Sequence, residues 1–188
     1  MENSVDKLDT VEVDEDFLSV PEQPQAVDHL EPPTAFETKV LDGSAVIHLL
    51  STARVETFKD FANNVFLPYI KHQLENADRV DVVLDSYFNN SLKEGTRDKR
   101  GKGLRRKVAD SNKLPGKWQD FLKDSNNKRE LFTFLSEKVA TAQFQEGKTV
   151  VITSGNTVIS KGGDVPDMQA NHHEEADTKI VLHLLNAL

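Results

Sequence analysis

The feature of the sequence that most constrains its fold is an aliphatic run that ends in an aspartate. This run, Asp81-Val82-Val83-Leu84-Asp85, is continuously apolar between its two acids, which is typical of a strand buried on both faces of a parallel sheet. A second apolar run, Lys39-Val40-Leu41-Asp42-Gly43, also ends in an aspartate, followed by a glycine turn signal. With helical segments between the strands, this order predicts an α/β fold with a parallel central sheet flanked by helices.

Apolar spacing predicts where the helices lie. Between Glu56 and Leu74, apolar residues recur at i, i+3, i+4 and i+7, which indicates an amphipathic helix that Pro68 kinks or breaks. Further helices are predicted over 117–124, 128–145 and 174–188. The inner face predicted for the last helix is Ala176, Ile180, Val181 and Leu184.

Two more strands and three aromatic positions complete the predicted framework. Residues 148–152 form an apolar strand, and residues 157–159 return beside it as a hairpin. Trp118 is predicted to anchor a helix in the core, with stacking on a nucleic-acid base as the alternative. His48 and His183 lie in apolar runs and are predicted core positions.

Charge divides the chain into an acidic leader and a nearly neutral body. Residues 1–38 carry 11 acids and one base, whereas residues 39–188 carry 22 bases and 20 acids. The leader has four of the seven prolines and sparse apolar residues, so it cannot bury enough surface to offset the entropy of ordering. We therefore predict a disordered acidic leader over 1–38, either a solvating tail or a partner-binding one, and one folded domain over 39–188.

Composition excludes several classes of protein. The chain has no cysteine, which excludes a disulfide scaffold, a cysteine-based zinc site, a thiol nucleophile and an iron–sulfur cluster. The segment MENSVDKLDT has no apolar signal-peptide core, and no window approaches 18 uncharged apolar residues. We therefore expect an intracellular protein of the nucleus or cytoplasm, without membrane attachment.

Three groups of carboxylates could converge in such a fold. Asp42 and Asp85 end their strands, and Glu174, Glu175 and Asp177 open the last helix. Functional groups gather at the carboxyl ends of parallel strands, and carboxylates that converge repel one another unless a cation lies between them. Hard oxygen ligands suit Mg²⁺ or Mn²⁺. The alternative is that each acid forms a turn or complements a helix dipole.

A basic strip follows the second acidic strand. Residues 93–107 carry a net charge of +6, and glycines at 101 and 103 favour mobility. This strip predicts contact with nucleic-acid phosphates, a nuclear-targeting patch or a solvated basic loop. Its cations are Lys93, Arg97, Lys99, Arg100, Lys102, Arg105, Arg106 and Lys107.

These motifs resemble a known superfamily. Leu41-Asp42-Gly43-Ser44 is similar to the first-strand motif of PIN-like, flap-endonuclease-type 5′-nucleases. Val82-Val83-Leu84-Asp85 with the basic segment after it resembles their second acidic strand, and Glu175-Ala176-Asp177 resembles their Glu-Ala-Asp/Glu helix start. This resemblance covers about residues 39–188. The segment HEEADTKIVLH also resembles uncharacterised animal proteins associated with mobile elements.

The resemblance implies a nuclease in which Asp42, Asp85, Glu175 and Asp177 are the catalytic, metal-binding carboxylates. Helix geometry favours Glu174 over Glu175, because Glu174 and Asp177 share a face at i and i+3. Residues at or before the N-cap are not helical, so Glu175 is preferred and Glu174 is the reserve ligand. The implied partner is DNA or RNA, whose backbone the basic strip would contact.

One departure from the superfamily pattern qualifies the expected activity. The superfamily has another acidic strand after the Glu-Ala-Asp helix, whereas this chain stops at Leu188. We therefore expect a C-terminally incomplete PIN-like domain with impaired hydrolysis and an exposed sheet edge that favours self-association. The alternative function is a catalytically inactive PIN-like module that binds nucleic acid or a protein partner.

Overall fold

The computed structural model describes residues 36–86, 105–155, 157–163 and 176–187, all within one unit, Pro33–Leu188. They form a four-stranded sheet in the order β1-β2-β3-β4. Neighbours β1 and β2, and then β2 and β3, pair in parallel, and β3 and β4 form an antiparallel hairpin. The predicted α/β fold with a mainly parallel sheet is thus confirmed. The strands are β1 (Phe36–Asp42), β2 (Ala77–Val83), β3 (Thr149–Ser154) and β4 (Thr157–Lys161).

Helices connect the parallel strands and cover both faces of the sheet. Within the described ranges, the α-helices are α1 (Gly43–Leu49), α2 (Phe58–Phe61), α3 (Leu67–Gln73), α4 (Trp118–Phe121), α5 (Ser125–Thr141) and α6 (Ala176–Asn186). A short 3₁₀ turn, Leu74–Asn76, leads into β2.

The helix predicted around Pro68 is interrupted just before the proline. A π-helical turn, Ala62–Phe66, separates α2 from α3, and Pro68 lies in the first turn of α3. Proline has no N–H for the helical ladder, so the irregularity falls where the sequence indicates it. At the other end, Thr57 and Asp60 form a capping box that starts α2.

The hydrophobic core lies between one face of the sheet and helices α1 to α5. On β2, Val80 and Val82 belong to this core. Because side chains alternate along a strand, the opposite face of β2 carries Asp81 and Val83, which are also fully buried. Helix α6 covers that opposite face, since His183 reaches Asp81. The prediction that β2 is buried on both faces is confirmed.

Helix α6 presents a different face to the sheet from the one predicted. Ala176 is buried as expected, but the other buried residues are Lys179 and His183. Val181 and Leu184 are exposed, so their assignment to the inner face was wrong. The physical reason is that polar partners on β2 and β3 satisfy the buried lysine and histidine, as described below.

Of the three core positions predicted at Trp118, His183 and His48, the first two are confirmed. Trp118 is buried, stacks on Phe121 with ring centroids 5.1 Å apart, and donates its indole N–H to the Ile47 carbonyl. His183 is also buried. His48 is exposed and contacts Gln119, so its core assignment was wrong.

Candidate functional site

Asp42 lies where β1 ends and α1 begins. Its Oδ1 accepts a hydrogen bond from the Ala45 backbone N–H at 3.0 Å, which makes Asp42 the N-cap of α1. Capping is a structural role that Ser, Thr, Asn or Asp can fill. The helix therefore starts immediately after β1, in place of the turn that Asp42-Gly43 suggests.

Gly43 allows α1 to start directly against β2. A Cβ at this glycine would lie 2.5 Å from Leu84 Cδ2, closer than real Cβ atoms approach, and 3.0 Å from Val82 Cγ1, which is a tight contact. Asp42 pairs in register with Val83, two residues before Asp85. Asp42 and Asp85 therefore lie at the same carboxyl end of neighbouring parallel strands, as the sequence predicts.

Asp85 makes the contact that links this end of the sheet to the third acidic group. Its Oδ1 accepts a hydrogen bond from the Ala176 backbone N–H at 2.9 Å. Ala176 is the first residue of α6, and first-turn N–H groups have no partner inside their own helix. Asp177 follows it and is exposed. Glu174 and Glu175 immediately precede Ala176 in the chain but lie outside the described residues.

Lys179 ties α6 to the ends of two strands. Its Nζ donates to Ser86 Oγ at 2.6 Å, to the Leu84 carbonyl at 3.2 Å and to the Gly155 carbonyl at 3.4 Å. Ser86 Oγ in turn donates to the Gly155 carbonyl at 2.7 Å. Burial lowers the pKa of Lys179, and the Asp85 carboxylate opposes that shift. The buried amino group therefore fixes the position of α6 beside Asp85.

A buried ion-pair network holds the next turn of α6. Asp81 receives hydrogen bonds of 2.7 Å from both Nε and Nη2 of Arg79, and its Oδ2 lies 2.7 Å from His183 Nδ1, which donates. Asp81 has no exposed surface. The apolar run that predicts this strand starts at Asp81, but β2 begins four residues earlier, at Ala77, so Asp81 lies within the strand.

Lys179, Ser86, Arg79 and the His183–Asp81 contact are not among the residues that the sequence motifs predict for the site. A signal was present, because Lys179 and His183 are four residues apart and three and seven residues after Ala176, on the face of α6 opposite Val181. That pattern shows that the two polar residues share a face. It does not show that their partners lie on β2 and β3, which are far away in the sequence.

Part of the predicted basic strip is described. Arg105 donates to Asn127 Oδ1 at 2.9 Å and forms an ion pair with Glu130. The Arg106 backbone N–H donates to Asn127 Oδ1 at 3.0 Å, and Asn127 is fully buried. The start of α5 therefore fixes residues 105–106. The other predicted contacts Lys93, Arg97, Lys99, Arg100 and Lys102 lie outside the described residues.

Glu130 is electrostatically adapted to this role. Burial raises its pKa, but hydrogen bonds from Arg105 and from the Val108 backbone N–H, together with the charges of Arg105 and Lys107, outweigh burial and hold the pKa below its usual range. Glu130 is therefore ionised at neutral pH and anchors the segment that carries the basic side chains.

The predicted metal ligands agree in chemical type with Mg²⁺ or Mn²⁺, since all are carboxylates. Within the described ranges, however, no group of three or more His, Asp or Glu residues lies close enough to hold a metal. Asp42, Asp85 and Asp177 thus do not form such a group by themselves. A complete ligand set would need Glu174 or Glu175.

Comparison with protein-family models, with curated protein sequences and with solved structures found no match to this chain. None of the helices in the described parts of the chain combines the length and the apolar character needed to cross a bilayer. The sequence motifs and the contacts at the carboxyl end of the sheet are therefore what indicate a function.

Proposed function

We propose that the chain is a PIN-like, metal-dependent nuclease that hydrolyses phosphodiester bonds in DNA or RNA. The observation that carries the proposal is the hydrogen bond from Ala176 N–H to Asp85 Oδ1. It joins the second acidic strand to the Glu-Ala-Asp segment across 91 residues of sequence. Sequence order alone does not require this contact, whereas a shared metal site at this edge does require the two segments to meet.

In this proposal Asp42, Asp85, Glu175 and Asp177 hold Mg²⁺ or Mn²⁺, with Glu174 as the reserve ligand. A bound divalent metal would supply an activated water and a positive charge for the leaving oxygen. Asp42 uses one oxygen to cap α1, which leaves its other oxygen for a ligand. Lys179 and Ser86 act as positioning residues, because they hold α6 and Asp85 at one edge of the sheet.

The proposed substrate contacts are the cations of the 93–107 strip, which would hold the phosphate backbone through charge. We propose that it meets this substrate in the nucleus or cytoplasm. Strand β1 pairs only with β2, and β4 only with β3, among the described strands. Outer strands of a sheet can pair with a second copy, so we propose that the protein also self-associates.

The proposal is tested with residues 1–188, Mg²⁺ or Mn²⁺, and end-labelled single- and double-stranded DNA and RNA. We expect weak metal-dependent cleavage by the wild type, because hydrolysis is expected to be impaired, and no metal-dependent cleavage by Asp85→Asn. Asp78→Asn is the matched control, because Asp78 lies near the start of β2, the strand that leads to Asp85, and its side chain is 74% exposed. Far-ultraviolet circular dichroism checks that both variants fold. Cleavage that is equal in wild type and Asp85→Asn would refute the nuclease assignment.

A binding module without catalysis is the second candidate. Two observations favour it: the described carboxylates do not form a three-ligand group, and the positive charge of Lys179 already interacts with Asp85. In this alternative the acidic edge is structural, and the basic strip binds nucleic acid or an acidic protein. The two candidates differ in one result, since the module does not cleave an oligonucleotide with any divalent metal, whether or not it binds one.

A further inference from the structure

An open depression of about 440 Å³ lies on the surface beside the start of α5. Its lining includes three residues that follow the predicted basic strip in the sequence. The lining residues are Arg105, Arg106, Lys107, Ser111, Asn112 and Lys113. The depression therefore combines four cationic side chains with a hydroxyl and an amide that can donate hydrogen bonds.

The four cations differ in whether a carboxylate of the protein pairs with them. Arg105 is engaged with Glu130 and Asn127. The other nearby acid, Asp110, forms an ion pair with Lys138 at 2.6 Å. Arg106, Lys107 and Lys113 are exposed and form no ion pair with any carboxylate in the described ranges. Arg106 and Lys113 thus face the depression without an acidic partner from this part of the chain. Lys107 forms no direct ion pair either, and its charge acts on Glu130 only from a distance.

The backbone that carries these charges is already fixed. The Asn112 carbonyl accepts from Phe58 N–H at 3.1 Å, and Leu114 N–H donates to the Glu56 carbonyl at 2.8 Å. Asn112 Nδ2 donates to the Lys107 carbonyl at 2.9 Å, which closes the segment on itself. A ligand that binds here orders side chains but not the backbone, so the entropic cost of binding is reduced.

The depression also lies towards the carboxyl end of the sheet. Ser136 of α5 donates to the carbonyl of Thr153, near the carboxyl end of β3. From Ser136, α5 continues to Thr141, and the chain then enters β3 at its other end. Asn127 and Glu130 precede Ser136 on α5 by about 2.5 and about 1.7 helical turns. These anchors of the basic segment are therefore on the same side of the sheet as Asp42 and Asp85.

We infer that this depression binds the backbone phosphates of the nucleic acid, with Arg106, Lys107 and Lys113 as the charge contacts. Ser111 and Asn112 donate hydrogen bonds to phosphate oxygens. Arg105 has a structural role, because its contacts with Glu130 and Asn127 hold the segment on α5. The choice of ligand rests on the proposed function. The distinction between Arg105 as a structural residue and the other three cations as phosphate contacts rests on the ion pairs described above.

The test compares two double variants of residues 1–188. Lys107→Gln with Lys113→Gln removes two proposed phosphate-binding charges. Lys71→Gln with Lys161→Gln is the control, which also removes two lysine charges but at residues that do not line the depression. Binding of a fluorescent 20-base-pair DNA duplex is measured by anisotropy in EDTA at several salt concentrations. The slope of log K against log salt should flatten by about 0.9 for each phosphate that is no longer neutralised, or about 1.8 in the first variant, and stay unchanged in the second.

Equal slopes in the two double variants would overturn the inference, as would a wild type that does not bind the duplex. Tryptophan fluorescence of Trp118, which is buried, verifies that each variant is folded. Because EDTA prevents metal-dependent cleavage, the result is independent of catalysis. A flattened slope in a protein that never cleaves DNA or RNA would support the depression and refute the nuclease proposal.

Discussion

Replacing Asp81 with asparagine tests whether the buried ion-pair network holds α6 on the sheet. The Asp81 carboxylate has no exposed surface, and it accepts hydrogen bonds from Arg79 and His183. Removing one partner of a buried ion pair costs about 3–5 kcal/mol, because the remaining charge stays buried without compensation. Asparagine keeps the shape and one acceptor oxygen, and 16% of the Arg79 side chain is exposed, so we expect the low end of this range.

The expected loss is therefore about 3 kcal/mol of unfolding free energy, or about 6–12 °C in Tm for a domain of this size. Urea unfolding followed through Trp118, the single tryptophan, gives the free energy directly. Asp78→Asn is the matched control on the same strand. The side chain of Asp78 is 74% exposed and pairs with Lys148 at 2.9 Å, so its loss should cost less than about 1 kcal/mol.

The reasoning is refuted if Asp81→Asn and Asp78→Asn destabilise the protein equally. That result would mean that Arg79 and His183 do not depend on the Asp81 charge. The position of α6, and with it the meeting of Ala176 and Asp85, would then need another explanation.

Two further predictions concern the same edge of the sheet. Gly43→Ala should lower the unfolding free energy by about 1–3 kcal/mol, because the added methyl group overpacks against Leu84. This loss is expected even though alanine has a higher helix propensity than glycine. Gly116→Ala is the control, since nothing lies within 4 Å of an added Cβ there, and equal urea midpoints for the two variants would contradict the prediction. Because burial lowers the pKa of Lys179, the unfolded chain binds more protons than the folded one between the lowered pKa and the usual lysine value. The stability of wild type relative to Lys179→Met should therefore rise with pH through that window, as urea unfolding from pH 7 to 10 would show; a constant or falling difference would contradict it.

Much of the framework is predictable because its determinants are local. The continuous apolar run before Asp85 identifies a strand buried on both faces, and the turn around Gly155 identifies the β3–β4 hairpin. The two aspartates at strand ends follow from parallel pairing, since parallel strands bring their carboxyl ends to one edge. These conclusions need only periodicity and the rules of strand connection.

The parts that were predicted wrongly depend on partners distant in the sequence. Periodicity assigned Val181 and Leu184 to the inner face of α6, but the sheet offers α6 the Asp81 carboxylate and the oxygens around Ser86. Burying Lys179 and His183 against these acceptors satisfies their polar atoms. Similarly, Glu130 and Asn127 follow Arg105 by more than 20 residues. A charge count over residues 93–107 therefore cannot distinguish an arginine paired within the fold from a cation that is available to a ligand.

Binding of Mn²⁺ tests the central claim, that carboxylates at the carboxyl end of the sheet form a metal site, most directly. Electron paramagnetic resonance of free Mn²⁺ gives the affinity of residues 1–188 without any assumption about the nucleic-acid substrate. We predict saturable binding by wild type and by Asp78→Asn, and binding at least about tenfold weaker in Asp42→Asn and Asp85→Asn, because even the loss of a ligand's supporting group costs that much. Equal Mn²⁺ affinity in wild type and Asp85→Asn, or no binding by wild type, would contradict the account.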